Sequence, residues 1–74
     1  MKTLGHRRQF GNAVRKRRTA LGLSQERLAE IADCHRNYIG KVERGEQNIS
    51  IDMSVRLSKA LKCTLQDLMK DAGL

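Results

Sequence analysis

The stretch QERLAEIADCHRNYIGKVER, residues 25–44, decides the fold of this chain. Its apolar residues recur at helical spacing in two short runs. They are Leu28, Ala29 and Ala32 in the first run and Ile39 and Val42 in the second. Asp33 and Cys34 separate the runs, where the chain must reverse. The stretch therefore predicts two short helices joined by a tight turn, a geometry with which many small proteins place a helix in the DNA major groove.

The ends of both helices carry sequence signals. Ser24 has the chemistry of an N-cap, because its hydroxyl can accept a hydrogen bond from a free amide of the first turn. Gly45 supplies a C-terminal stop after the second helix. Asp33 lies where a left-handed residue is often needed, and Asp tolerates that conformation better than most residues but less well than Gly.

The side chains on the outward face of the second helix indicate a DNA-binding surface rather than a surface that is only solvated. Arg36, Asn37 and Lys41 are side chains suited to base edges and phosphates. The alternative is an ordinary helical hairpin in a small bundle, whose polar residues only solvate a surface. Such a face would more often carry Glu and Lys, so the pattern favours a helix that reads the groove.

The charge of the chain is concentrated at one end. Residues 1–25 contain seven basic side chains and no acidic one, whereas residues 26–74 contain eight of each, so the first segment accounts for the net charge of +7. This distribution predicts attraction to a polyanion, with Arg15 and Lys16 as candidate phosphate contacts. The alternative is a solvated helix face behind a flexible basic N-terminus, which we expect at residues 1–6.

Length and composition exclude several classes of protein. We expect one domain over residues 1–74, in which about 60 to 65% of the unfolded chain's surface is buried. No apolar stretch approaches a membrane span or a secretory signal, so we expect a cytoplasmic protein. Cys34 and Cys63 are expected as buried, reduced thiols, and their spacing to His6 and His35 predicts no metal site. No catalytic constellation is visible, so we expect neither an enzyme nor a cofactor.

Three further helices complete an all-α, five-helix domain. An apolar stripe through Phe10, Val14 and Leu21 predicts a first helix over about residues 7–21. Ser50 and Thr64 predict the starts of a fourth helix, ending near Lys62, and a short fifth helix. The predicted core contacts of the fourth helix are Ile51, Val55, Leu57 and Leu61. Leu65, Leu68 and Met69 form an apolar face that either joins the core or meets a second copy of the protein.

Two arginines near the stripe of the first helix need partners. Arg17 and Arg18 both project close to apolar positions, so at least one should find a carboxylate or lay its stem along the core. Glu43 is the best candidate carboxylate. Helical periodicity alone leaves the choice between pairing and snorkelling open.

With these residues in view, residues 7–70 resemble the phage-repressor (Cro/Xre) family of helix-turn-helix regulators. The residues that carry this resemblance are Gly22-Leu23-Ser24-Gln25, Leu28-Ala29, Tyr38-Ile39 and Glu43-Arg44-Gly45. Three further stretches look similar to the small controller proteins of restriction-modification systems. They are His35-Arg36-Asn37-Tyr38-Ile39, Val42-Glu43-Arg44-Gly45 and Asn48-Ile49-Ser50. Departures from the family are Asp33, where Gly is usual, and Arg17, where an aliphatic residue is frequent.

The resemblance implies a homodimer that binds double-stranded DNA at a symmetric operator, with helices 2 and 3 as the helix-turn-helix. It assigns a buried ion pair to Arg18 and Glu43, and it assigns to Gln25 a contact with the DNA backbone. The outward positions that it assigns to bases or phosphates are Arg36, Asn37 and Lys41, with further phosphate contacts at Arg44 and Asn48. Tyr38 is an additional candidate for a base contact. Gly40 inside the recognition helix fits either a close approach of backbone to DNA or a tolerated defect.

The expected function is therefore sequence-specific transcriptional regulation by a homodimer on a palindromic operator, as in a restriction-modification controller. Two other classes stay open. An antitoxin-like module would use the face of helices 4 and 5 to bind a partner protein, and a small basic RNA-binding protein would stack bases on aromatic rings, of which this chain has two. The length leaves no room for a separate ligand domain, so no small-molecule effector is expected.

Overall fold

Five helices form the fold, as the sequence predicted. The computed structural model describes residues 2–74, with side chains from Gly5 onward. The helices are α1 (Lys2–Ala20), α2 (Gln25–Ala32), α3 (Arg36–Glu43), α4 (Ile51–Ala60) and α5 (Leu65–Ala72). Over residues 2–74 there is no β-strand, and no helix is long and apolar enough to cross a membrane. The prediction of an all-α domain with the helix-turn-helix at α2 and α3 is confirmed.

Side-chain caps set the starts of the last four helices. The hydroxyls of Ser24 and Ser50 each accept a hydrogen bond from the amide three residues on, at 2.9 and 3.1 Å. Thr64 and Asp67 form a reciprocal capping box at α5. The backbone N–H of Thr64 donates to the Asp67 carboxylate, and this hydrogen bond holds the pKa of Asp67 below its usual range. The fourth cap, at His35, has no counterpart in the sequence prediction.

The first helix is longer than predicted at one end and shorter at the other. It begins at Lys2 rather than near residue 7, so the segment expected as a flexible N-terminus is helical from Lys2 on. Gly5 is a poor helix former but does not stop propagation, which adds one hydrogen bond per residue. The helix ends at Ala20, because Gly22 takes a left-handed φ of 73°. Leu21, predicted for the core stripe, lies in this turn and is 42% exposed.

The core joins all five helices, and most of its members were predicted. Its largest fully buried side chains include Val14, Leu28, Ile39, Leu57, Leu61 and Leu68. Ile51 was wrongly assigned to it, because this first residue of α4 is 77% exposed. Of the two roles left open for Leu68, the structure gives it the core and not a surface for a second copy, because α5 packs against α1 and α4 and leaves it 0% exposed. Leu65 and Met69 lie half-buried against the core.

The close contact between α1 and α3 requires glycine at position 11. A methyl group at Gly11 would lie 2.2 Å from the carbonyl oxygen of Val42 and 2.8 Å from that of Glu43. The backbone of α1 therefore lies directly against the end of α3. Gly45, with φ of 75°, lets the chain leave α3 beside the backbone of Arg8. These two glycines fix how α1 supports the recognition helix.

The turn between α2 and α3 has the left-handed residue that the sequence predicted. Asp33 adopts φ 59° and ψ 56°. Arg56 of α4, which the sequence analysis missed, donates hydrogen bonds to the carbonyl oxygens of Ala32 and Asp33, with Nη2 2.7 Å from the oxygen of Ala32. A cation at the last carbonyls of a helix is stabilising, so Arg56 ties α4 to the turn. A second left-handed residue, Lys62 with φ 60°, joins α4 to α5.

Candidate nucleic-acid interface

A polar cleft runs between the N-terminus of α2 and the outer face of α3. The residues that line it include Gln25, Arg36, Asn37, Gly40, Lys41 and Arg44. We call this surface the α2–α3 cleft. Helical geometry puts the α3 members on one face, since residues three and four apart are neighbours on a helix surface. The structure thus brings together five residues that the sequence analysis proposed for DNA contacts: Gln25, Arg36, Asn37, Lys41 and Arg44.

The electrostatics of the α2–α3 cleft suit an anion. The N-terminus of α2 opens onto it, where unpaired amides and the helix dipole favour negative charge. Within residues 2–74, Arg36 and Lys41 form no ion pair, so their charges are available to a ligand. Arg44 Nε lies 3.1 Å from an Oε atom of Glu46, with both side chains more than half exposed. A weak surface pair of this kind yields readily to a phosphate.

A buried hydrogen-bonded network supports the α2–α3 cleft from below. Arg18 of α1 donates to both carboxylate oxygens of Glu43, at 2.6 and 3.0 Å, so the two residues that the resemblance paired are in contact. Arg18 also donates to the carbonyl oxygen of Leu23, and Gln25 Nε2 donates to Glu43 Oε1 at 3.1 Å. The side chain of Glu43 is 4% exposed and that of Arg18 12%. The network joins α1, the start of α2 and the end of α3.

Four residues proposed for DNA contacts lie outside the α2–α3 cleft. Arg15 and Lys16 line a separate groove between α1 and α5. Asn48 lies in the loop after α3, beside an apolar groove. Tyr38 lies half-buried against the core, and burial raises the pKa of its hydroxyl. Whether these four side chains contact DNA stays a prediction.

Arg17 has a structural partner on α5. Its Nε lies 2.5 Å from a carboxylate oxygen of Asp71, and this hydrogen bond holds the pKa of the Arg17 guanidinium above its ordinary value. The ion pair gives Arg17 a structural role at a position where the family often has an aliphatic residue.

Cys34 and Cys63 are free thiols that lie half-buried rather than fully buried, and burial raises the pKa of each.

Sequence reasoning missed His35 as a residue that shapes the α2–α3 cleft. Its Nδ1 accepts a hydrogen bond from the backbone N–H of Asn37 at 3.1 Å, so the imidazole caps α3. Histidine is not among the preferred N-cap residues, which is why the sequence carried no signal. The cap sets where α3 begins and thus which turn carries Arg36 and Asn37.

A two-helix motif with a cationic cleft on its second helix defines the class of a DNA-binding transcriptional regulator. The helix-turn-helix family matches residues 14–68, and the chain belongs to that family, whose members are DNA-binding regulators and not enzymes. Among individual proteins, it is 46% identical over 61 residues to the control protein C.SmaI of Serratia marcescens, covering 82% of this chain and 73% of that protein.

Two further comparisons agree with this membership. The control protein C.BamHI of Bacillus amyloliquefaciens is 44% identical over 61 residues, which cover 81% of this chain and 75% of that protein. The crystal structure of the restriction-modification controller protein C.AhdI from Aeromonas hydrophila superimposes with a TM-score of 0.82 at 42% identity. That match covers 84% of this chain and 94% of C.AhdI.

Proposed function

We propose that this chain is the controller protein of a restriction-modification system, acting in the cytoplasm as a homodimer on a palindromic DNA operator. The α2–α3 cleft is the observation that carries the proposal. The similarity to C.SmaI, C.BamHI and C.AhdI supports the biological role. Two copies of α3 would enter successive major grooves on one face of the duplex, about 34 Å apart.

Within the α2–α3 cleft we assign different roles to its side chains. Asn37 is the first candidate for a base contact, since an Asn amide pairs bidentately with adenine. Arg36 and Lys41 suit the two acceptors of guanine. Arg44 and Gln25, which also line the cleft, are our candidates for phosphate contacts. Base readout and phosphate contacts are therefore separable by mutation.

Selection of bound duplexes from a random pool tests the proposed function. We expect a palindromic consensus whose half-sites lie about one helical turn apart. A pool from which no consensus emerges would contradict sequence-specific recognition. A single asymmetric site would contradict the homodimer.

The variant Asn37→Ala is expected to lose about 5- to 150-fold in affinity for the selected operator, which corresponds to about 1 to 3 kcal/mol. Affinity for random duplex should change little, because the phosphate contacts remain. Titration of both duplexes at one salt concentration measures the two values. Asn12→Ala is the matched control, since Asn12 is exposed on α1 beside the α1–α5 groove. Equal losses on both duplexes would remove Asn37 from base readout.

An apolar groove is our proposed surface for the second copy, in place of the face through Leu68. It is lined by Phe10, Ile49, Ile51, Met69 and Leu74, among others. Ile51 is 77% and Leu74 51% exposed, so the groove leaves apolar area in water that a copy would cover. The groove also reaches Val42 of α3. A two-fold partner there would hold both recognition helices at one separation.

The variant Ile51→Lys is therefore expected to be monomeric at concentrations where the parent protein is dimeric. A charge in the middle of an apolar interface must be desolvated, and the partner copy meets the same charge by symmetry. Sedimentation equilibrium measures the change. Ile31→Lys is the matched control, because Ile31 is 44% exposed on α2, away from the groove. A dimer that survives Ile51→Lys would rule out this surface.

A further inference from the structure

Gly40 lies on the flank of α3 that faces the N-terminus of α2, and it is buried beneath side chains that line the α2–α3 cleft. Its neighbours three and four residues away on the helix surface are Arg36, Asn37, Glu43 and Arg44, of which Glu43 is buried and the other three line the cleft with Gly40. The helix therefore lacks a side chain at this point of the cleft. The surrounding positions carry long or polar ones.

The fold supplies no reason for glycine at this position. Gly40 lies inside a regular helix, whereas Gly45 needs glycine for its φ of 75°. A methyl group at Gly11 would meet backbone oxygen, but a methyl group at Gly40 would meet first Arg44 Nη1, at 3.1 Å. That atom is the far end of a flexible, largely exposed side chain, which can move by a few tenths of an ångström. Alanine would fit and is the better helix former.

Two side chains cover the gap in the free protein. The guanidinium of Arg44 lies over Gly40, and the amide oxygen of Gln25 lies 3.8 Å from the position of a Cβ atom. Glu46 holds Arg44 through one exposed ion pair. A DNA phosphate offers Arg a bidentate, charge-assisted partner, which is stronger than such a pair. Phosphate binding would thus draw Arg44 off Gly40.

We propose that Gly40 is a specificity-determining residue, a gap in the recognition helix that Arg44 uncovers and that seats the C5-methyl group of a thymine. Compared with alanine, glycine lacks one methyl group. The C5-methyl group of thymine has the same size and polarity as that missing group. Apolar contact with this methyl is an established form of major-groove readout. The inference rests on the proposed function, since it requires a selected operator.

The variant Gly40→Ala tests the inference against the control Gly5→Ala. Gly5 is also helical, and a methyl group there meets nothing within 4 Å. We expect both variants to keep or raise the thermal unfolding midpoint. Gly40→Ala should lose at least about tenfold in operator affinity and keep its affinity for random duplex, while Gly5→Ala keeps both. Operator binding by Gly40→Ala at parental affinity would overturn the proposal.

Uracil substitution then identifies the seated group. Replacing operator thymines one at a time with uracil removes only the C5-methyl. At one thymine per half-site, the parent protein should lose affinity while Gly40→Ala loses nothing further. The thymine assignment would be overturned if Gly40→Ala lost the same operator affinity whichever thymine was replaced with uracil. It would also be overturned if Gly40→Ala lost no affinity when Arg44 was replaced with Ala as well, because the original loss would then come from displacement of the Arg44 side chain. Failure of the proposed function differs from these outcomes, since the parent protein would then select no operator.

Discussion

Replacing Glu43 with Ala is expected to lower the free energy of unfolding by about 3 to 5 kcal/mol. Glu43 is 4% exposed and accepts hydrogen bonds from Arg18 and Gln25. Removing it leaves the Arg18 guanidinium largely buried without its counter-charge, and the desolvation of that charge is no longer offset. The free energy of unfolding of a small domain can be as low as about 5 kcal/mol. A loss of this size would therefore leave a large fraction of the molecules unfolded at 37 °C. Urea denaturation followed by circular dichroism measures the loss.

Glu46→Ala is the matched control for this prediction. It removes the same side chain three positions along the sequence, but its partner pair with Arg44 is more than half exposed. Exposed pairs contribute about 0 to 1 kcal/mol, so the control should stay near parental stability. Comparable losses in the two variants would show that Glu43 acts through general surface charge and not through the buried network.

Replacing Gly11 with Ala is expected to cost about 3 kcal/mol of unfolding free energy. The added methyl would lie 2.2 Å from the carbonyl oxygen of Val42, and neither helix backbone can yield without separating α1 from α3. Alanine gains about 1 kcal/mol in helix propensity, which is smaller than the cost of the clash. Thermal unfolding measures the change.

Gly5→Ala reverses the sign of that effect within the same helix. A methyl group at Gly5 has open space around it, so only the gain in helix propensity of up to about 1 kcal/mol remains. The contrast isolates the α1–α3 contact from the properties of glycine. Parental stability of Gly11→Ala would contradict the close packing of α1 against α3.

Glu43→Ala and Gly11→Ala both disturb the contact between α1 and the side of α3 that faces the protein interior. Glu43 and Val42 contact α1, whereas Asn37 and Lys41 face the α2–α3 cleft. The contacts that stabilise the fold and the residues that we propose for DNA readout thus lie on different sides of one eight-residue helix. We expect losses of folding from one side and losses of specificity from the other.

Local patterns were sufficient for most of the fold. The spacing of Leu28, Ala32, Ile39 and Val42 predicted the two motif helices, because a helix buries every third or fourth residue. Ser24 and Thr64 predicted helix starts, because capping involves atoms only three residues apart. The left-handed turn at Asp33 was predictable for the same reason.

Contacts between distant parts of the chain were harder to predict. Arg56 lies 24 residues from the carbonyl of Ala32 that it binds, and Arg17 lies 54 residues from Asp71. No sequence spacing records such pairs, since they depend on how α4 and α5 pack. For the Arg18–Glu43 pair, the sequence named Glu43 as the best candidate carboxylate, but only the family resemblance selected Arg18 as its partner.

The sequence by itself determined the five helices, the caps at Ser24, Ser50 and Thr64, the turn at Asp33 and the cationic residues of α3. These features follow from interactions within a few residues. Only the tertiary structure decided that Leu68 is core while Ile51 is exposed, and that Arg15 and Lys16 line a groove apart from the α2–α3 cleft. The amphipathic pattern of a helix shows which residues share a face, but the packing of neighbouring helices decides which part of that face is covered.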